Sequence, residues 1–283
     1  MPNRELGDCR IGVAGLGDMG LPMARNMRAA GVDVIGHDVR PAAAFASLGD
    51  SYVADPAAFA AGCDILFTVV RDAAQTDALL FGEQAILLGE KRPAILVVCS
   101  TLSPRYIHAL KDRLPAGIEL VDAPMSGAPY SAEQAILTFM IGGRAEIVAF
   151  LDPLFRTMGR TFHHLGETGA GMTCKVLNNF VCAAAVVAVR RVGLLAPEMG
   201  LDPAKLREVM SASSGGSWFG NNFDRIKFAR EGYDPANTMG IIRKDVAAYL
   251  DAVSGGDEDL LQEFEKAVAI GMETLPPEPG DNG

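Results

Sequence analysis

Lys175 sits in the segment GAGMTCKVLNN at 169–179, surrounded by small and apolar residues. On a helix it shares a face with Asn179, because residues four apart stand one turn above each other. A lysine in such company needs a partner or a function, since an unpaired buried ammonium is costly. It either snorkels to the surface near the helix start or has a functional role. Spacing alone leaves both open. A second cluster, GLGDMG at 15–20, follows an apolar β-rich run and opens a helical pattern. There Gly15 permits a tight turn, Gly17 lets a pyrophosphate approach the backbone, and Gly20 allows close helix–strand packing. Leu16, Asp18 and Met19 complete a loop whose helix N-terminus offers N–H groups and a positive dipole end to phosphates. Roughly 20 residues on, Asp38 ends the next strand-like run, where a carboxylate can hydrogen-bond a ribose 2′-hydroxyl. The same charge repels a 2′-phosphate, which favours NAD over NADP, although Arg40 just beyond it keeps NADP open. The structural alternative is a plain strand-to-helix turn with a solvated Asp38.

A third cluster, DAPMSGAP at 122–129, follows another strand-like run. Its small residues and the Ser126 hydroxyl can form a donor nest for a carboxylate. A proline-rich turn explains it equally well. The histidines His37, His108, His163 and His164 have no ligand spacing, and His163 and His164 as strand neighbours face opposite ways, so no metal is expected. Cys9, Cys63, Cys99, Cys174 and Cys182 are odd in number and form no paired cluster, which argues against a disulfide framework and structural zinc. The single tryptophan, Trp218, reads more readily as a core anchor than as a substrate contact.

The elements around these clusters come in two regimes. Apolar runs at 11–14, 32–36, 65–70, 94–99, 118–121, 137–141 and 161–163 read as strands, several without polar alternation and so buried on both faces. Helical stretches between them, including 21–30, 103–113 and 145–158, supply crossovers for a mostly parallel α/β sheet. Beyond Gly166 everything periodic is helical. One long helix is expected over 169–196 and others near 218–230, 239–253 and 257–272, with Asp202-Pro203 opening another. The expected organisation is therefore a Rossmann-type domain at 1–166 and an all-α domain at 167–283, with a disordered tail at 275–283. The 283 residues suit two domains, and 49% hydrophobic with 21% charged residues excludes wholesale disorder. With 35 acidic against 25 basic residues the net charge is −10, which disfavours nucleic acid as a partner. The start of the chain is polar, and the densest apolar run, Val181–Val189, is too short to span a bilayer before Arg190-Arg191 closes it, so a cytoplasmic protein with no membrane partner is expected.

Taken together, GLGDMG at 15, FTVVRD at 67, STLSP at 100, DAPMSG at 122, GAGMTCKVLNN at 169, GLDPAKLREVMSASSGGSW at 200 and RKD at 243 resemble the β-hydroxyacid dehydrogenases. That family includes 3-hydroxyisobutyrate dehydrogenase and tartronate semialdehyde reductase, with a cofactor domain of the 6-phosphogluconate dehydrogenase type. The resemblance implies a Rossmann-type domain and a helical domain joined by the long helix, with substrate in the cleft between them. It implies hydride transfer between NAD(H) and a small anionic 3-hydroxy acid or semialdehyde, in a homodimer or homotetramer. Residue by residue, Lys175 matches the catalytic acid/base and Asn179 the asparagine that fixes the substrate. Ser126 and Gly127 match the carboxylate-binding turn, with Ala128 completing it. Val70, Arg71 and Thr101 match contacts to the nicotinamide half of the cofactor, and Lys244 matches a lysine that closes over cofactor and substrate. Asp245 matches too, without an assigned role.

The chain departs from the family pattern at Ala128, where a second glycine is usual, and at Arg71, where proline is common. Arg191 replaces a glutamate, Tyr130 stands where its ring can line the pocket, and Ser254-Gly255-Gly256 interrupts a usually longer helical pair. Two other readings stand beside the first: an NADPH-dependent reductase of another carbonyl or an imine, and a non-catalytic cofactor-binding scaffold. The presence of Lys175 counts against imine chemistry and against a loss of catalysis.

Overall fold

Strands that are apolar along their whole length need cover on both faces, and the first half of the chain supplies it. The structure, a computed structural model, describes residues 5–254 and 260–278. It divides into a first compact unit ending at Lys175 and a second beginning at Val176.

In the first unit, β1 (Ile11–Ala14), β2 (Val34–His37), β3 (Ile65–Thr68), β4 (Ile95–Val98) and β5 (Glu119–Asp122) are parallel, in the order β2-β1-β3-β4-β5. Two further strands, β6 (Met125–Ser126) and β7 (Leu137–Gly142), pair antiparallel, and β8 (Gly159–Gly166) adds parallel to β7. Among the described residues this makes one eight-stranded sheet. The helices of this unit are α1 (Gly20–Ala29), α2 (Pro56–Gly62), α3 (Ala73–Leu80), α4 (Pro104–Arg113), α5 (Pro129–Glu133) and α6 (Ala145–Met158). Alternate strand residues feed two cores. Ile65, Phe67 and Val97 join one with α1 and α6, while Leu66, Leu96 and Val98 join the other with α2, α3 and α4. Side-chain caps start three of these helices: Asp55 accepts from Ala58 N, Asp72 from Gln75 N and Ser103 from Arg105 N.

The long helix α7 (Ala170–Leu195) is followed by α8 (Pro203–Ser211), α9 (Trp218–Asn221), α10 (Thr238–Val253) and α11 (Leu260–Glu273). Asp202 caps α8 through Ala204 N at 2.7 Å, as its Asp-Pro signature requires. The second unit's core gathers Val176, Phe180, Ala183, Val186 and Val189 from α7 against Phe219, Met239, Val246 and Met272. Tyr249 stacks on Phe180 at 4.2 Å and donates to Glu265 Oε1 at 2.6 Å, which satisfies its buried hydroxyl.

Four expectations are corrected here. The helix expected over 218–230 breaks after Asn221: the Asn222 amide donates to the Trp218 carbonyl, and Ile226 is extended, leaving only short 3-10 turns beyond. Trp218 is 60% exposed and anchors no core. Residues 275–278 are packed, not disordered: Leu275 is buried, Tyr233 N donates to its carbonyl, and Glu278 N donates to Arg230 O. The remainder of that tail, 279–283, lies outside the described residues, as do 255–259, which hold the Gly255-Gly256 break. Finally, Arg190 does not close the apolar stretch. Helix α7 continues past it and, by length and a mean hydropathy of 1.7 over its most apolar window, is long and apolar enough to cross a membrane. Arg190 itself is fully buried, while Arg191 beside it is exposed.

Candidate active site

Parallel register decides what stands at the carboxyl edge of the first unit's sheet. Ala14 pairs with His37 and with Thr68, Thr68 with Val98, and Val98 with Asp122, so all five strands end level. The segments that follow, Gly15, Asp38, Val70-Arg71 and Ser100-Thr101, therefore line one edge. The strand order reverses at β1, and at such a switch point the loops diverge and leave a crevice.

The loop after β1 meets the demands of a pyrophosphate. Gly15 has φ +89°, and a Cβ there would press on the Val69 carbonyl at 2.7 Å. A Cβ on Gly20 would run into the Gly15 carbonyl, so helix and strand touch at that point. At Gly17 a Cβ would meet no protein atom within 4 Å. Packing within the chain does not need a glycine there; a phosphate lying against the backbone does. Asp18 is exposed and Met19 half-buried at the start of α1, and the residues present thus fit a dinucleotide.

Asp38 is placed as expected but is not bare. Its Oδ2 accepts from Leu16 N at 2.7 Å, tying the glycine loop to the end of β2. Arg40 folds back over it, with Nε 3.0 Å from Oδ1 and Nη2 3.0 Å from Oδ2, and donates from Nη2 to the Leu16 carbonyl. The Asp38 side chain is left 8% exposed and that of Arg40 51%. Burial pushes the Asp38 carboxyl upward, but the Arg40 bonds and the Leu16 amide outweigh it and hold the group below its ordinary value. Arg40 also lies 4.9 Å over the Phe45 ring, and Tyr52 donates to the carbonyls of Asp38 and Arg40. The sequence motif revealed the acid but not this arginine cover.

Val70 and Thr101 are half-buried and Arg71 is exposed, with the Ser100 hydroxyl donating to the Val70 carbonyl at 2.6 Å. In the β6 turn Ser126 is half-buried, and Gly127 (φ +137°) and Ala128 are exposed. The positive φ is a backbone state that glycine adopts without strain. Tyr130 in α5 is 65% exposed. Lys175 is 7% exposed, in the second turn of α7, so it does not snorkel out to solvent.

In the second unit Asn179 Nδ2 donates to Asp245 Oδ2 at 2.6 Å, and Lys244 Nζ lies 2.8 Å from Asp245 Oδ1. A carboxylate only accepts, so Asp245 fixes which end of the Asn179 amide faces it. The Asn179 Oδ1 accepts from Asn178 Nδ2 at 3.0 Å. Asp245 thus joins two residues that the sequence singled out separately.

Known proteins with this arrangement are informative. Residues 10–166 match the NAD-binding domain of 6-phosphogluconate dehydrogenase, and residues 169–261 match the NAD-binding domain of NADP-dependent 3-hydroxyisobutyrate dehydrogenase. The chain belongs to the β-hydroxyacid dehydrogenase family. It is 32% identical to L-threonate dehydrogenase of Cupriavidus necator over 85% of this chain and 82% of that protein. It is 33% identical to 3-hydroxyisobutyrate dehydrogenase of Pseudomonas aeruginosa over 74% of this chain and 71% of that one. Among solved structures, 3-hydroxyisobutyrate dehydrogenase of Mycobacterium tuberculosis with L-serine superposes with a TM-score of 0.77 at 28% identity, covering 93% and 92% of the two chains. Membership makes the chain an NAD(P)-dependent oxidoreductase of the hydroxyacid dehydrogenase type.

Proposed function

We propose that this β-hydroxyacid dehydrogenase interconverts a small 3-hydroxy acid and its semialdehyde with NAD(H), using Lys175 as the proton-handling residue. The observation that carries the reading is a lysine buried in the second turn of α7, one turn before an asparagine whose amide is held by a carboxylate. When bound, the nicotinamide of NAD takes up or returns a hydride at C4. Gly15, Leu16, Gly17, Asp18, Met19 and Gly20 form the turn that holds the pyrophosphate, and Val70, Arg71 and Thr101 flank the nicotinamide half. The Ser126 hydroxyl and the amides of Gly127 and Ala128 take the substrate carboxylate. Asn179 orients the substrate, and Lys244 closes over cofactor and substrate. Lys175, as a neutral amine, accepts the hydroxyl proton during oxidation; as ammonium it donates a proton to the carbonyl oxygen during reduction. The net charge of −10 makes long-range attraction of an anion unfavourable, so Lys175, Lys244 and Arg71 supply it locally.

The test is a panel of 3-hydroxy acids and semialdehydes with NAD and NADP in parallel, on wild type and Lys175→Ala. The variant is expected to lose at least about 100-fold in kcat while its NAD dissociation constant stays within about twofold. Full turnover without the lysine refutes its role, and a wild-type chain inert toward every acid refutes the substrate class.

Two companion readings belong here. The second unit exposes Leu177 and Val181 on α7 and Phe264 and Ile270 on α11, which supports a homodimer or homotetramer, to be checked by light scattering. The buried Arg190 and Lys175 on α7 support a core helix of a cytoplasmic protein and not a membrane span.

A further inference from the structure

Asp122 ends β5 and is fully buried, yet none of the roles above uses it. Each of its carboxylate oxygens takes an amide from the start of α7: Oδ1 accepts from Gly169 N and Oδ2 from Met172 N, both at 2.6 Å. These belong to the amides that a helix start leaves without partners, and a carboxylate there also meets the positive end of the helix dipole. The same turn is fastened at neighbouring points. The Thr168 hydroxyl donates to Leu120 O at 3.0 Å, and Leu102 N lies 3.3 Å from the Met172 sulfur. The docking is close enough that a Cβ on Gly171 would run into the Met140 carbonyl, and one on Gly142 into the Asp122 carboxylate. Lys175 follows Met172 by less than a turn, only ~4.5 Å along the helix axis.

We propose that Asp122 is the positioning residue of Lys175: its carboxylate clamps the first turn of α7 to the end of β5 and so sets the height and rotation at which the lysine is presented. The inference rests on the reading of Lys175 as the proton-handling group. A rigid link matters because the proton must move over a hydrogen-bond distance, and misplacing a reacting group by about 1 Å costs up to about 100-fold in rate. The other bonds to this turn, from Thr168 and Leu102, hold it against the sheet, and the Ala170 amide donates to Glu167 O, which leaves the amides of Gly169 and Met172 to Asp122. An asparagine at 122 keeps one acceptor and turns an NH2 toward the other amide, so one fastening is lost while size is kept.

The experiment compares Asp122→Asn, Lys175→Ala and the double variant, each as the full-length protein, by kcat, KM and NAD dissociation constant. Expected for Asp122→Asn is a kcat at least about tenfold lower, with KM and NAD affinity within about threefold, and faster amide exchange confined to the first turns of α7. Because both changes act through one group, the double variant is expected to be no slower than Lys175→Ala alone. If Asp122→Asn does not fold, Asp122→Glu keeps both acceptors but displaces the helix start by a methylene, and its kcat decides. Wild-type kcat in whichever variant folds, or multiplicative losses in the double variant, overturns the positioning role. An active Lys175→Ala instead overturns the reading of the lysine, and is recognised separately because it needs no variant at Asp122.

Discussion

Replacing Arg190 by methionine is expected to unfasten the end of the chain. In the native protein its guanidinium donates from Nη1 to the carbonyls of Ala229 at 2.7 Å and Glu231 at 2.8 Å, and from Nη2 to that of Pro276. Glu278 lies 3.7 Å from Nε, an ion pair and not a hydrogen bond. Methionine fills much of the same volume, so cavity formation is a small part of the loss. Three carbonyls lose a charged donor, each bond being worth roughly 1.5–3 kcal/mol. Against that, the variant no longer buries a guanidinium, which returns several kcal/mol of desolvation. Glu278 is partly exposed at 18% and can turn to water when left alone. The balance is a loss of about 3 kcal/mol, which for a unit of about 100 residues lowers the midpoint of unfolding by roughly 12 °C or more. Calorimetry of the full chain, following the transition of the second unit, measures it. Amide exchange at Tyr233 and Glu278 gives a local readout, since these donate to Leu275 O and Arg230 O in the segment that Arg190 ties down. A midpoint within about 2 °C of wild type, with both amides still protected, would show that Arg190 is merely accommodated and that the bookkeeping above is wrong.

The remaining predictions concern charge. Arg40→Ala is expected to lower kcat/KM with NADP at least about tenfold while changing the NAD value less than about threefold, because the arginine is the exposed cation that a 2′-phosphate beside Asp38 would meet; equal losses with both cofactors, measured in parallel, would refute that division. Asp122 should leave its mark on stability. Burial raises its carboxyl from the usual 3.8 to about 6, against the pull of the Gly169 and Met172 amides and of His108. Between about pH 4 and 6 the folded chain therefore holds a proton that the unfolded chain has released, so this contribution is full below that window and is lost as pH rises through it. Urea midpoints across the window should show an Asp122-dependent fall that is missing in Asp122→Asn, and an Asp122-dependent rise would contradict it.

Much of the architecture was legible because its causes are local. Continuous apolar strands, the Asp202-Pro203 cap and the glycine turn at 15–20 each carry their own physical reason, and the helices at 20–29, 104–113 and 145–158 fell close to where the pattern put them. Errors came where long-range partners decide. Trp218 has the size of a core anchor, yet nothing in the sequence shows that its side chain faces solvent. Arg190 and Lys175 pose the same question, a cation inside an apolar helix, but Arg190 read as the end of the apolar run. Its acceptors are backbone carbonyls far away in the chain, and carbonyls leave no signature in residue types. Asp122 was visible as a residue of DAPMSGAP, but its partners are amides of the helix that begins almost fifty residues later.

The sequence by itself determined the chemistry available to this protein: a dinucleotide loop followed by an acid, a serine–glycine turn, a lysine and an asparagine one helical turn apart. These follow from side-chain types and from the periods of strand and helix, which neighbouring residues dictate. Only the tertiary structure decided how those groups are held. It put Arg40 over Asp38, gave Asp245 the task of orienting Asn179, closed the tail onto Arg190, and tied the start of the lysine's helix to Asp122. Such pairings satisfy buried charges and unpaired amides across the fold, and a polar group's partner is chosen by where the chain returns, not by what stands beside it.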